Sequence, residues 1–199
     1  MMNKDIMICG VGGQGTVLAS KIIAASAMNE GNAVHSAETI GMAQRGGPVT
    51  SHVRIGDKAF SPLIPIGGAD ILIAFEPSEA VRNLRYLKKG GLVIVNRIPV
   101  KPTSLGCSTE YDGKAEIEFL NSKCRCVVVD SDEMCKPFGS SKFFNVAVLG
   151  VAAGTGELGL DEKTLRDEII SIVPAKFHEK NLAAFKLGYK TGENSYANQ

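Results

Sequence analysis

The sequence predicts an α/β domain built on a mostly parallel sheet, and three features predict it. Apolar runs of strand length recur along the chain, "DIMIC", "ADILIAFE", "LVIVN" and "RCVVVD", without the polar alternation of a half-exposed strand. Stretches of helical period separate several of them. A glycine turn, "CGVGGQG" from Cys9 to Gly15, joins the first strand to the first helix. Together these describe three layers, helix on sheet on helix, in the manner of a Rossmann-like domain.

Each element follows from its own residues. "TVLASKIIAASAMNEG" places Val17, Leu18, Ile22 and Ile23 on one helical face, and Gly31 marks its end. "NAVHSAE" is a second strand. "PVTSHVRIG" alternates, "GDK" turns and "AFSPLI" returns, so an antiparallel hairpin is expected as an extension on one sheet edge. "PSEAVRNLRYLKKGG" reads as a helix with Pro77 in its first turn and lysines in its last. The polar stretch after Arg97 is expected to hold one short helix near Ala115 to Asn121, and "SDEMCKPFGSSKFFN" is a loop or short helix. "FNVAVLGVAAGTGELG", small and apolar all round, is a buried helix for which Asn145 is a candidate N-cap. Asp161 caps the next helix, which carries Leu165, Ile169 and Ile172 on one face. A last amphipathic helix is expected to stop near Gly188. One domain over residues 1–190, with a flexible tail over 191–199, is the resulting organisation.

Composition narrows the function. A chain of 199 residues suits one domain with a full core. A formal net charge of +1 gives no field for nucleic acid or a membrane surface. The absence of Trp argues against a stacking platform for single strands. No apolar run reaches membrane-spanning length, and "MMNKD" leads straight into a strand, so a cytoplasmic protein is expected. Cys9, Cys107, Cys124, Cys126 and Cys135 follow no metal or cluster spacing and read as free thiols, Cys9 as a buried structural one.

Two glycine-rich stretches carry the functional signal. Gly10, Gly12 and Gly15 satisfy G-x-G-x-x-G between a strand and a helix, with Gly13 and Gln14 inside the loop. Helix N–H groups there can hold a phosphate, and Glu38 falls where a ribose-binding acid would sit. A stand-alone dinucleotide oxidoreductase and a tight crossing that binds nothing both fit this loop. Gln44, Arg45, Gly46 and Gly47 form the second stretch, able to present an amide and a guanidinium to a partner or anion, or to serve as an ordinary turn. His52 and Arg54 read as a solvated or interface strand face, His35 as a satisfied sheet residue and His178 as a helix-surface one. No residue is assigned a catalytic role.

Taken together, "CGVGGQG…E…GMAQRGGPVTSHVRIG…SPLIP…ADILIAFEP…GGLVIVN" resembles the gamma subunits and domains of the 2-oxoacid:ferredoxin oxidoreductases. "VHSAETIGMAQRGG" and "KFHEKNLAAF" are most similar to the beta subunits of the indolepyruvate type, with the pyruvate and 2-oxoglutarate gamma subunits as the alternative. The resemblance implies a subunit that binds no cofactor of its own. Thiamine diphosphate, Mg and 4Fe-4S clusters would lie on a partner alpha subunit, and ferredoxin would be met through the complex. Coenzyme A could reach the interface. Gly10, Gly12, Gly13, Gln14, Gly15, Glu38, Gln44, Arg45, Gly46 and Gly47 would face that ligand or partner. A purely structural assembly role is the remaining reading.

Overall fold

The computed structural model describes residues 2–40, 46–57, 59–100 and 111–197. Among them the sheet has six strands: β1 (Lys4–Val11), β2 (Val34–Ile40), β3 (Pro48–Ile55), β4 (Ala69–Ala74), β5 (Leu87–Asn96) and β6 (Arg125–Val129), in the order β2-β3-β1-β4-β5-β6. β1, β4, β5 and β6 are parallel, whereas β3 runs antiparallel to both β1 and β2. The helices are α1 (Thr16–Asn29), α2 (Pro77–Asn83), α3 (Lys114–Lys123), α4 (Ser131–Cys135), α5 (Phe144–Gly154), α6 (Glu162–Ile172) and α7 (His178–Ala197). None of them is long and apolar enough to cross a membrane.

Side-chain alternation splits the core into two. Ile6 and Ile8 of β1 face α1, α5, α6 and α7 with Ile71, Ile73, Leu92 and Ile94. Met7 and Cys9 face the other way, toward α2 and α3, with Leu72, Val93 and Leu120. Both faces of the parallel strands are covered, as their uninterrupted apolar sequences require. The α/β class, the mostly parallel sheet and its antiparallel extension are as expected.

The extension is built differently from expectation. β3 pairs with β2, Val34 opposite Ile55 and Ile40 opposite Val49, while "AFSPLI" forms no strand. Pro62 and Pro65 deprive that segment of ladder donors, and β1 and β2 already occupy both edges of β3.

Two helix ends also differ. α2 stops at Asn83, passes through a 3-10 turn at Leu84–Tyr86, and "LKKGG" opens β5 instead. Leu87 pairs with Ala69, and Lys88 forms an ion pair with Asp70, so those lysines serve a strand. α7 runs through Gly188 to Ala197, over most of the stretch expected as a tail. The reason is packing. A Cβ on Gly150 or Gly154 of α5 would overlap the carbonyl oxygens of Phe185 or Tyr189. A Cβ on Gly188 or Gly192 of α7 would overlap those of Ala147 or Val151. Two glycines four apart on each helix therefore let the backbones touch, and Gly188 is a contact residue in mid-helix. The short helix at 114–123, the Asp161 cap and the Gly31 turn lie where the sequence places them: Asp161 accepts from the Thr164 N–H at 3.0 Å, and Gly31 has φ +79°.

Candidate ligand crevice at the carboxyl ends of the strands

Gln14 organises the glycine loop. Its side chain folds back so that Oε1 accepts from the Val11 N–H at 2.6 Å, while Nε2 donates to the Phe75 carbonyl at 3.1 Å. Gly10 is needed underneath, because a Cβ there would lie 2.8 Å from both Gln14 Oε1 and Phe75 Cβ. Gly12 is tied sideways: its N–H donates to Gly47 O at 2.8 Å, and its carbonyl faces the Gly46 N–H at 3.5 Å. Gly15 precedes α1 at φ +87°, with the Asn145 amide nitrogen 2.5 Å from where its Cβ would be. Gly13 has φ +102°, and a Cβ on it would meet nothing within 4 Å, so it faces open space.

A second amide continues the stitching. Asn96, at the end of β5, donates to Phe75 O at 3.2 Å and to Ser131 Oγ at 3.2 Å. Its Oδ1 accepts from the N–H groups of Ser131 at 3.1 Å and Ile98 at 3.3 Å. Gln14 and Asn96 thus converge on one carbonyl and fix the carboxyl ends of β1, β4 and β5 against one another. Such buried networks hold a site in one geometry.

Over this floor opens a crevice of about 350 Å³, lined by Gly13, Gly15, Asn96, Ser131, Lys142 and Asn145 among others. It lies outside the carboxyl ends of the parallel strands, where folds of this kind receive ligands. Gly13, Gln14 and Gly15, which lead into α1, line it, and a helix N-terminus nearby favours an anion. A larger hollow of about 600 Å³ adjoins it and shares Lys142 and Asn145. Phe138, Phe143, Val173 and Phe177 line this hollow. Lys180 reaches to 5.8 Å above the Phe143 ring, and Lys176 to 5.0 Å above that of Phe177. An anion-favouring slot and an apolar, lysine-bordered hollow therefore lie side by side, with Lys142 and Asn145 common to both.

The structure gathers Gly10, Gly12, Gly13, Gln14, Gly15, Gly46 and Gly47 around the same loop. Gln44 and Arg45 lie outside the described residues. Glu38 is placed elsewhere: it sits on the edge strand β2 and accepts from Ser20 Oγ on α1 at 3.2 Å. In a dinucleotide-binding domain the second strand neighbours the first and brings its acid to the ribose. Here β3 occupies that place. Asn96, Ser131 and Lys142 join the site without any motif in the sequence to mark them. Asn145 is not the helix cap expected of it; α5 begins one residue earlier, and Asn145 packs over Gly15.

Other titratable groups are structural. His52, expected on a solvated or interface face, is 4% exposed and covered by the chain's own segment at Ile64. Its Nδ1 accepts from the Ile64 N–H at 3.1 Å, and burial, with Arg54 nearby, lowers its pKa. Arg54 pairs with Asp5 at 2.8 Å across the β1–β3 ladder. His35 is exposed on edge strand β2 rather than satisfied within a sheet, and His178 is half-buried with Nε2 2.7 Å from Val173 O. Cys9 is buried against Glu79 O, and burial, with Glu79 and Glu76 adding to it, pushes its thiol well up. Burial pushes the Cys126 thiol up to about 12 and that of Cys135 up to about 11. Among the described residues no three His, Cys, Asp or Glu converge as a metal set.

The family model for pyruvate ferredoxin/flavodoxin oxidoreductase matches residues 5–191. The chain belongs to that family. Indolepyruvate oxidoreductase subunit IorB of Archaeoglobus fulgidus is 41% identical to it over 94% of each chain. The keto/oxoacid ferredoxin oxidoreductase gamma subunit of Geobacter sulfurreducens shares its fold, with a TM-score of 0.71 at 22% identity over 96% of this chain and 99% of that one. The 2-oxoglutarate:ferredoxin oxidoreductase of Magnetococcus marinus, solved with 2-oxoglutarate, coenzyme A and succinyl-CoA, aligns with a TM-score of 0.69 at 20% identity, over all of this chain and 32% of that one. Family membership makes the chain a 2-oxoacid:ferredoxin oxidoreductase subunit that works in a complex with other subunits.

Proposed function

We propose that this subunit serves an indolepyruvate-type complex and holds coenzyme A for it. The complex would oxidatively decarboxylate a 2-oxoacid, releasing CO₂. It would pass the acyl carbon to the coenzyme A thiol, which loses its proton, and send two electrons to ferredoxin. Thiamine diphosphate with Mg and 4Fe-4S clusters, supplying carbanion stabilisation and electron transfer, belong in this reading to a partner alpha subunit. This chain alone would be inactive.

One observation carries the coenzyme A part: the anion-favouring slot over Gly13 and Gly15 shares Lys142 and Asn145 with an apolar, lysine-bordered hollow. A pyrophosphate fits the first, at the start of α1, and an aromatic base the second. Lys142, common to both, would meet a phosphate oxygen. The coenzyme A in the Magnetococcus relative supports the same ligand class. Gln44 and Arg45 would face the partner subunit or an anionic group of the substrate.

The test uses the anaerobically purified complex, assayed by viologen reduction with indolepyruvate, pyruvate and 2-oxoglutarate in turn. Lys142→Ala should raise KM for coenzyme A about tenfold, the loss expected for one charge-assisted contact, with KM for the 2-oxoacid unchanged. Unchanged coenzyme A kinetics in both Lys142→Ala and Arg45→Ala would leave a purely structural subunit. Preference for pyruvate or 2-oxoglutarate would replace the indolepyruvate assignment.

A further inference from the structure

The segment from Ala59 to Gly68 links β3 to β4 and packs on the α2 side of the sheet, where buried Ile64 meets Met7 and Cys9. It has no regular secondary structure, yet it is firmly held. Arg54 donates to the carbonyls of Ser61 at 3.1 Å and Leu63 at 3.4 Å. The Ile64 N–H is bound by His52, Ile64 itself is buried, and Gly67 N–H donates to Arg85 O at 3.0 Å. Pro62 and Pro65 stiffen the backbone between these anchors.

What the anchors hold outward is apolar. Phe60 is 95% exposed, Ile66 72% and Leu63 54%. Three large hydrophobic side chains within seven residues, held in water by a segment hydrogen-bonded to Arg54, His52 and Arg85, are the arrangement of a binding hot spot and cost the free subunit solubility. The surroundings are basic. Arg82, ion-paired with Glu79 at 2.6 Å, and Arg85 border an adjoining hollow of about 520 Å³, also lined by Leu63 and Tyr86. The Arg85 guanidinium lies 5.1 Å from the Tyr86 ring centre, and exposed Lys89 follows on β5.

This charge pattern selects the occupant. A two-fold contact with a second copy would bring Arg85 and Lys89 of each copy toward their counterparts, which like charges oppose. A surface with an apolar socket rimmed by carboxylates complements it. We propose that segment 59–68, with the Arg82–Arg85 rim, is the docking surface for another, acid-rimmed subunit of the same oxidoreductase. The proposal rests on membership of a multi-subunit family and not on what fills the crevice.

The experiment compares the intact complex with the free subunit by hydrogen exchange, and measures assembly of variants co-expressed with the partner. Residues 59–68 should gain protection on assembly. The double variant Phe60→Asp/Ile66→Asp should fold normally, since both side chains lie in solvent, and weaken assembly by at least about tenfold. Arg85→Glu should weaken it less and make it less sensitive to salt. Phe119→Asp, an exposed aromatic on α3, is the control and should assemble as wild type. Unchanged protection at 59–68, or normal assembly of the double variant, overturns the proposal. So does a free subunit that self-associates through this segment, which would make the occupant a second copy. In complexes that survive the Arg85 change, KM for coenzyme A should be unaltered, which separates this surface from the crevice.

Discussion

Two groups of glycines do opposite work in this molecule. Those of α5 and α7, Gly150, Gly154, Gly188 and Gly192, are absent side chains: each makes room for a carbonyl of the facing helix, and their helical backbones are ordinary. Those of the loop from Gly10 to Gly15 are a mixture. Gly10 makes room for Phe75 and Gln14, Gly15 both makes room and adopts positive φ, and Gly13 supplies positive φ alone, facing open space. A glycine that only makes room belongs to the core. One that bends the chain while leaving space in front of it is suited to a ligand.

The comparison can be broken most severely at the helix pair. Gly188→Val would push α7 off α5 along their shared length, and we expect a loss of about 3 kcal/mol or more, or failure to accumulate folded protein. Chemical denaturation of the variant decides it, and a loss under about 1 kcal/mol would mean the helices are not in backbone contact. Gly15→Ala comes next, at about 2 kcal/mol, because it meets Asn145 and strains a left-handed backbone. Adding Asn145→Gly should return part of that loss, and a double-mutant cycle with no coupling would remove the steric half of the explanation. Gln14→Ala should cost about 1–2 kcal/mol, since the Val11 N–H loses its partner. Gly13→Ala should be mildest in stability, about 1 kcal/mol, yet should impair coenzyme A kinetics more than Gln14→Ala does. Equal kinetics for the two would erase the distinction between a bending glycine and a packing one.

The same two kinds of glycine show why some elements are legible in the sequence and others are not. Buried strands, the Asp161 cap and the strand–glycine–helix turn are local signals, and all are legible. Gly188 reads as a helix stop because a stop and a helix contact use the same residue; only the partner helix, some forty residues away, distinguishes them. The pairing of β3 is hidden for a related reason. Its alternation establishes a strand but not which neighbour it takes, and the prolines of "SPLIP" are the available warning. His52 looks solvated because the covering segment, Ala59 to Gly68, has no period of its own. At the crevice, the loop glycines and Gln14 are visible as a motif. Asn96, Ser131 and Lys142 are not, because Asn96 ends β5 while Ser131 and Lys142 follow β6, and nothing in either neighbourhood announces the convergence.

The position of β1 has a consequence for how the chain reaches this state. Its two neighbours are both encoded later, and contacts such as that between Asp5 and Asp70 span 65 residues. Closing a loop of that size costs about 2 kcal/mol more entropy than closing a five-residue hairpin. A strand whose centre, Ile6 to Cys9, is apolar therefore waits through much of early synthesis with its edges unpaired, exposed to aggregation before β3 and β4 exist to shield it. Slow formation of the central sheet, rather than weakness of the finished fold, is then the vulnerable step, and expression temperature and chaperone supply become the levers that govern yield.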